Sequence, residues 1–445
     1  MASAASRPKP RPTISVFRSD WKPTGVHYFR PVRIRGSALV ASTLFIVASC
    51  AGASNADGPL LSNSPADSAL AVTTTTEADE PAGMELLASQ TWVDDQADRA
   101  PIEDCKIADI TASARDGIPL FGSGFPTPRA ELADFSNAKM WVLRIQTADE
   151  STDDANLLLT LDAFDRIVEF FDQQSFGRAS LSFVHDHPSA VVQLPLTSAE
   201  YGIDNVSPQE DMSYMLNEAL RYWKVPDDFR AGDQIFGILP LTPTRPSVAQ
   251  GIPLGGELNG KRTGFGILMS PGSATSWILI SHEIGHSWLF LEDLYSFGIQ
   301  GPYENYLETW DLMAAPGGPN PGFTSWTRWR VGWLDDEQIR CTSPTVESRY
   351  FVNQLDSDSS GTKSLVFPLS DHSALVAEVR DGFGANAGKS VVVVYEVDTS
   401  YEHGNGPIRL KGTLREAGDE LEQSGVRLAL EAIDISGALV TVDDL

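Results

Sequence analysis

Apolar residues recur along the chain in two rhythms. The run Met140-Trp141-Val142-Leu143-Arg144-Ile145 reads as a strand. In residues 161–171 the positions Phe164, Ile167, Val168 and Phe171 fall at helical spacing. Ser175-Phe176-Gly177 then marks a turn before a second strand at 179–184. Helical spacing returns over 211–223 (Met212, Met215, Leu216, Ala219, Leu220, Trp223), and 234–239 reads as another strand. Strands alternating with amphipathic helices predict an α/β layer. From Arg349 onward the rhythm shortens to β runs at 364–369, 374–380, 390–397 and 438–442, which predict a small β-rich domain.

The two ends of the chain differ from this pattern and from each other. Residues 38–48 form an apolar run behind a basic stretch; about a dozen residues is too short to span a bilayer but suits the core of an export signal. The run ends Val47-Ala48-Ser49-Cys50, which resembles the bacterial lipobox, with Cys50 as the lipidated residue. Residues 51–104 are rich in Ala, Ser, Thr, Asp and Glu and poor in large apolar side chains. Such a segment cannot offset its ordering entropy and reads as a disordered tether.

Composition sharpens this division. The 445 residues carry 33 Lys+Arg and 60 Asp+Glu, a formal net charge of −27. Residues 1–49 hold eight of the bases and a single acid, which leaves 25 bases and 59 acids, or −34, for the rest. An acidic body of this kind argues against a nucleic-acid partner, since phosphate binding relies on clustered Lys and Arg. Three cysteines exclude a disulfide-rich scaffold. Besides Cys50 there are Cys105 and Cys341, expected to pair as one disulfide in an oxidising compartment; the alternative is a Cys105 thiolate capping a metal.

The chemistry concentrates in Trp277-Ile278-Leu279-Ile280-Ser281-His282-Glu283-Ile284-Gly285-His286-Ser287-Trp288. Its apolar flanks, with Thr275 and Ser276 as candidate caps, suit a buried helix. On a helix, His282 and His286 stand one turn apart on one face, so both imidazoles can reach a single Zn²⁺. Glu283 then lies beside the metal's open position, where it can take a proton from water and return it to a leaving amine. A third ligand is needed. A Glu from a following helix would make the site gluzincin-like, with Glu304 or Glu308 as candidates; a residue supplied just after the helix would make it metzincin-like, with Asp293 preferred and Glu292 as the alternative.

Further blocks follow the helix: Asp293-Leu294-Tyr295, Trp310-Asp311-Leu312-Met313, Trp326 and Gly332-Trp333-Leu334, with weaker echoes in Ser175-Phe176-Gly177, Glu378-Val379-Arg380, Tyr395-Glu396-Val397-Asp398 and Gly406-Pro407-Ile408. In order and spacing they resemble the immune inhibitor A family of secreted bacterial metalloproteases, over residues 138–410. The resemblance implies a zincin-like α/β (α+β) catalytic domain with a smaller β-rich domain behind it, and a zinc-dependent endopeptidase activity on proteins or peptides. It makes Met313 the Met-turn residue under the metal. Tyr295 is a candidate for oxyanion stabilisation or packing, and Asp311 for bonding nearby backbone or a ligand imidazole. One departure stands out: Leu289 occupies the place of the family's Gly, and the Asp falls one residue late.

The expected organisation is a signal peptide at 1–50, the tether at 51–104, the catalytic domain at 105–341 and the β-rich domain at 342–445. The expected molecule is exported and lipid-anchored at the cell surface, or fully secreted, touching membrane only through its N-terminal lipid. The alternative is a non-catalytic adhesion or scaffold lipoprotein with a degenerate protease fold. His185 and His187 read mostly as loop residues, with a second metal as the alternative. Residues 356–361 imitate the start of a calcium loop, so Ca²⁺ is a possible second ion, although Phe367 stands where an EF-hand needs Glu. Gly255-Gly256 and Gly264-Phe265-Gly266 read as turns, or as an edge strand for docking extended substrate.

Overall fold

The computed structural model describes residues 99–444, apart from 111–112, 116–117, 128–133, 153, 203–209, 241–247, 259, 271–276, 297–304, 316–321, 344–346 and 402–403. Cys50, the signal segment, most of the expected tether, the caps Thr275 and Ser276, and Glu304 lie outside these residues. The last residues of the expected tether are described and structured: Arg99 bridges to Thr342, and helix α1 spans Ile102–Cys105.

A hairpin of β1 (Ser113–Arg115) and β2 (Ile118–Phe121) leads to the long strand β3 (Asn137–Gln146). Then follow α2 (Asp154–Gln174), β4 (Ser180–Val184), β5 (Val191–Gln193), α3 (Glu210–Tyr222), β6 (Gln234–Ile238), β7 (Val248–Leu258), β8 (Lys261–Ser270), α4 (Trp277–Leu289) and α5 (Ser325–Arg330). The strands form a six-stranded sheet in the order β4-β3-β6-β8-β7, with β5 also paired to β3. All its pairings are parallel except β7 with β8, so β7 is an antiparallel edge.

Alternation along β3 explains why both faces of this sheet are covered. Ala138, Met140 and Val142 enter the core built with α2 and α4, while Trp141, Leu143 and Ile145 enter a second core under α3. Strands buried on both faces are the expected partners of a parallel α/β arrangement. Gly237 sits where strand and helix pack closely: a Cβ there would come 2.8 Å from Leu268 and 3.1 Å from Leu216. The two glycine clusters, read as turns or as an edge strand, belong to edge strand β7 and its neighbour β8, which pair along their length with a register shift between Pro253 and Gly256. Proline is tolerated there because an edge strand has one side free of ladder bonds.

From Ile339 the chain is dominated by strands: β9 (Ile339–Cys341), β10 (Ser348–Asn353), β11 (Ser364–Ser370), β12 (Ser373–Asp381), β13 (Ser390–Asp398), β14 (Ile408–Leu414), β15 (Glu420–Gln423), β16 (Val426–Asp434) and β17 (Gly437–Asp444). They make a five-stranded sheet, β14-β13-β12-β11-β9, and a four-stranded one, β10-β17-β16-β15. The fold is thus mixed α/β with several sheets. In the five-stranded sheet Ala374, Val376, Val391, Val393 and Tyr395 join the core that contains α4, whereas Leu375, Ala377, Val392 and Val394 pack against the four-stranded sheet. β9, on the N-terminal side of the 341/342 boundary drawn from sequence, is an edge strand of that same sheet, so the two parts share a core.

Cys105 and Cys341 form a disulfide with S–S 2.07 Å. Cys105 therefore carries no thiolate for a metal, and the capping alternative is set aside. The bond closes 236 residues of sequence separation, where chain entropy places its stabilisation at about 5–6 kcal/mol.

Candidate metal centre

Helix α4 is apolar almost all round, and Ile280, Ile284, Trp288 and Leu289 fix it in the core. This burial holds His282, 0% exposed, and Glu283, 4% exposed, in a water-poor environment. His282 and His286 stand one turn apart with ring planes at 88° and centroids 4.7 Å from each other. His282 Nδ1 lies 3.1 Å from the Leu312 carbonyl and His286 Nδ1 2.7 Å from the Leu291 carbonyl. A carbonyl oxygen only accepts, so each Nδ1 is a protonated donor, and in the neutral ring Nε2 is left with a lone pair for the site.

These two lone pairs meet a third. The Nε2 atoms are 3.1 Å apart, and Asp293 Oδ1 lies 3.0 Å from His282 Nε2 and 3.3 Å from His286 Nε2. His282, His286 and Asp293 are the one such group of potential metal ligands among the described residues. With both rings neutral, three acceptors at these separations repel one another unless a cation or a proton lies among them. Tetrahedral Zn²⁺ with bonds of about 2.0–2.1 Å spaces its ligand atoms about 3.3 Å apart, close to all three edges of this triangle. The donor set fits the ion.

The loops that complete the site are held by their own bonds. Helix α4 ends at Leu289, and Phe290 adopts φ +54°, the left-handed conformation the missing Gly would have supplied easily. Burial of the Phe290 ring against Phe121 and Phe135 compensates for a conformation bulky residues resist. Leu291 N–H then returns to the Gly285 carbonyl at 3.1 Å, and Leu294 N–H donates to the Met313 carbonyl at 3.0 Å. Asp293 lies between these two anchors. Glu292 points the other way: its Oε1 accepts the Ser123 hydroxyl at 2.6 Å.

Met313 lies directly beneath α4. A Cβ on Gly285 would come 2.6 Å from Met313 Sδ, so the helix needs glycine here to let the methionine approach. Asp311 accepts the N–H groups of Met313 and Thr324, both at 2.8 Å, and bonds backbone rather than an imidazole. Tyr295 is buried with its ring nearly parallel to that of His282 at 6.4 Å, a packing position. Glu308 is exposed within turns spanning 306–309, and the helix a gluzincin arrangement needs is not formed there.

Glu283 differs from these three residues in what it touches. Its Oε2 accepts the Gly251 N–H from edge strand β7 at 2.6 Å. Burial raises this carboxyl, against the pull of His282 and His286 and the Gly251 bond. A Cβ on Gly251 would lie 3.1 Å from His286 Cβ, so glycine allows the strand to run close along the helix. Sequence reasoning attached no role to Gly251 or Ser123; their signal is spatial, since each reaches the site from a distant segment.

The other candidates resolve differently. His185 is half-buried, while His187 lies between Trp141 and Trp223, donates Nε2–H to the Val142 carbonyl and receives the Ser189 hydroxyl at Nδ1, both at 3.2 Å. Both its nitrogens are engaged, so it offers no lone pair to a second metal. Burial lowers its pKa, opposed by the Val142 bond and by Asp228 and Asp186, with Arg144 adding to the lowering. The fold therefore disfavours the protonated ring, and the unfolded chain binds more protons just below about pH 6.5. Stability is fully present above that pH and declines as pH falls toward the folded-state value. Urea midpoints measured from pH 7 downward should show this slope in the wild type and a shallower one in His187→Gln; parallel slopes would assign it elsewhere.

The calcium-like loop holds a cation of its own. Lys363, 0% exposed, sends its ammonium to the Gln354 carbonyl at 2.9 Å, the Ser357 carbonyl at 2.6 Å and the Ser357 hydroxyl at 2.7 Å. Burial and Arg328 lower this amine to about 8, with Asp356 and Asp358 opposing. An internal ammonium thus binds two oxygens of this segment, and the Asp356 carboxylate pairs with Arg328.

No protein-family model matches the chain, and no curated protein matches it either.

Proposed function

We propose that the protein is a zinc-dependent endopeptidase with a zincin-like catalytic unit, in which His282, His286 and Asp293 hold the ion. The observation that carries this reading is the triangle of His282 Nε2, His286 Nε2 and Asp293 Oδ1, each within 3.3 Å of the others, beside a carboxylate that takes no part in it. Bound Zn²⁺ would supply a Lewis acid, polarising the scissile carbonyl and acidifying water. The chain supplies the rest. Gly251 N–H holds one oxygen of Glu283, leaving Oε1 to accept a proton from the attacking water and deliver it to the departing amine nitrogen. The buried surroundings keep this carboxyl's proton affinity high enough for both transfers. Strand β7 is a sheet edge passing the same residues, and an extended peptide laid along it would present successive carbonyls to the site.

The same reading takes the enzyme as exported and anchored through Cys50, with the Cys105–Cys341 disulfide in keeping with an oxidising compartment. The test combines metal analysis with hydrolysis of a quenched fluorescent peptide. One Zn²⁺ per chain is expected, with activity lost on treatment with 1,10-phenanthroline and restored by added Zn²⁺. Undiminished cleavage by metal-free protein would overturn the proposal, and absence of cleavage by zinc-loaded protein on a broad peptide library would leave a non-catalytic metal protein instead.

A further inference from the structure

The ligand loop is gripped from a direction the motif does not reveal. Residues 122–125, about 160 positions upstream of the zinc motif, are bonded on both sides of their backbone. Asp109 Oδ2 accepts the N–H groups of Ser123 at 2.7 Å and Gly124 at 3.1 Å. Arg330 donates to the carbonyls of Gly122 at 2.5 Å and Gly124 at 2.9 Å, and Trp326 Nε1–H to that of Ser123 at 2.7 Å. Gly124 permits the close approach, since a Cβ there would lie 2.4 Å from Asp109 N. Just before this segment, the Phe121 ring meets His286 edge-on at 5.7 Å.

From this rigid support one side chain reaches the ligand loop. The Ser123 hydroxyl, 1% exposed, donates to Glu292, 6% exposed. Glu292 and Asp293 are neighbours whose side chains leave the chain in opposite directions, one toward Ser123 and the other toward the two histidines. Rotating this short stretch would move both carboxylates together. Backbone bonds at Leu291 and Leu294 hold its ends, and the Ser123–Glu292 bond holds the stretch between them.

We propose that Ser123 and Glu292 are positioning residues of the metal centre: their buried hydrogen bond fixes the rotation of the 291–294 segment and thereby the aim of Asp293. The inference rests on the zinc reading above and goes beyond it by making an upstream segment, tied to α5 through Arg330 and Trp326, part of the centre. Partners of this kind that orient a ligand typically change metal affinity 10–100-fold when removed.

The test is Zn²⁺ affinity, measured by competition with a chromophoric chelator on the full chain, together with the visible spectrum of the Co²⁺-loaded protein. Ser123→Ala, which removes one oxygen, and Glu292→Ala should bind Zn²⁺ roughly 10–100-fold more weakly, with a changed Co²⁺ band. Glu292→Gln keeps an acceptor for the hydroxyl and should stay near the wild type. If Glu292→Ala does not fold, Ser123→Ala decides alone. Wild-type affinity and spectrum in Ser123→Ala overturn the proposal. Loss of binding in Glu292→Gln as complete as in His286→Ala also overturns it, since Glu292 would then be a ligand. A wild type that binds no Zn²⁺ instead defeats the metal reading itself, and this inference with it.

Discussion

Glu283→Ala should lower peptide hydrolysis by roughly 10²–10⁴-fold, the usual contribution of a positioned general base, with zinc still bound. The separation of the two effects follows from the bonds each residue makes. The imidazoles are oriented by the carbonyls of Leu312 and Leu291, and Asp293 by its own loop, so none of the three leans on Glu283. What the substitution removes is the carboxylate held by Gly251 and the acceptor for water's proton. Glu283→Gln is the stricter form, because its amide oxygen can still receive the Gly251 N–H while the side chain can no longer act as a base. Both variants should keep one Zn²⁺ per chain, with the loss in kcat rather than in metal content. Cleavage at the wild-type rate by either would eliminate Glu283 as the base.

The second large effect is on stability. Glu378 is 0% exposed and serves three partners: Oε1 accepts Arg380 Nη1 at 3.0 Å, and Oε2 accepts Ser325 N–H at 2.7 Å and the Tyr395 hydroxyl at 2.8 Å. Glu378→Ala would strand the Arg380 guanidinium, itself 1% exposed, and free the first N–H of α5. Breaking a buried pair by removing one member costs about 3–5 kcal/mol, because the surviving charge stays out of water. The expected result is a fall of that size in the urea-derived unfolding free energy, with Glu378→Gln intermediate. A loss below about 1 kcal/mol would mean that Asp356 and Asp311, which also face Arg380, neutralise it without Glu378.

These two sites mark where the sequence speaks clearly and where it does not. His282, Glu283 and His286 are legible because helical spacing alone puts the two imidazoles on one face. The choice between Glu292 and Asp293 is not, since it depends on which way two neighbouring side chains leave the chain, Glu292 toward Ser123 and Asp293 toward the two histidines. β3 is readable as a strand because its residues are apolar on both faces. Strands β15 and β16 escape notice: Glu420, Glu422 and Arg427 give them polar positions that only tertiary pairing makes strand-like. Glu378-Val379-Arg380 carries a faint family echo, and its meaning is structural, two charges on one face of a strand closing over α5. In the acidic stretch at 356–361 both Ser357 oxygens bond a cation of the chain's own, the side chain of Lys363, while Asp356 pairs with Arg328.

The five-stranded sheet has no face to spare, being lined on one side by the metal-site core and on the other by the four-stranded sheet. A module travels between genes only if its surfaces survive the journey, and neither part of this chain would keep its own. The β strands could not be exchanged for another C-terminal unit without baring Val376, Val393 and Tyr395, which back the core containing α4. Recombination at the 341/342 junction should therefore be barren, and variation in this protein should accumulate in loops and at the two outer edges of the sheets rather than by swapping halves.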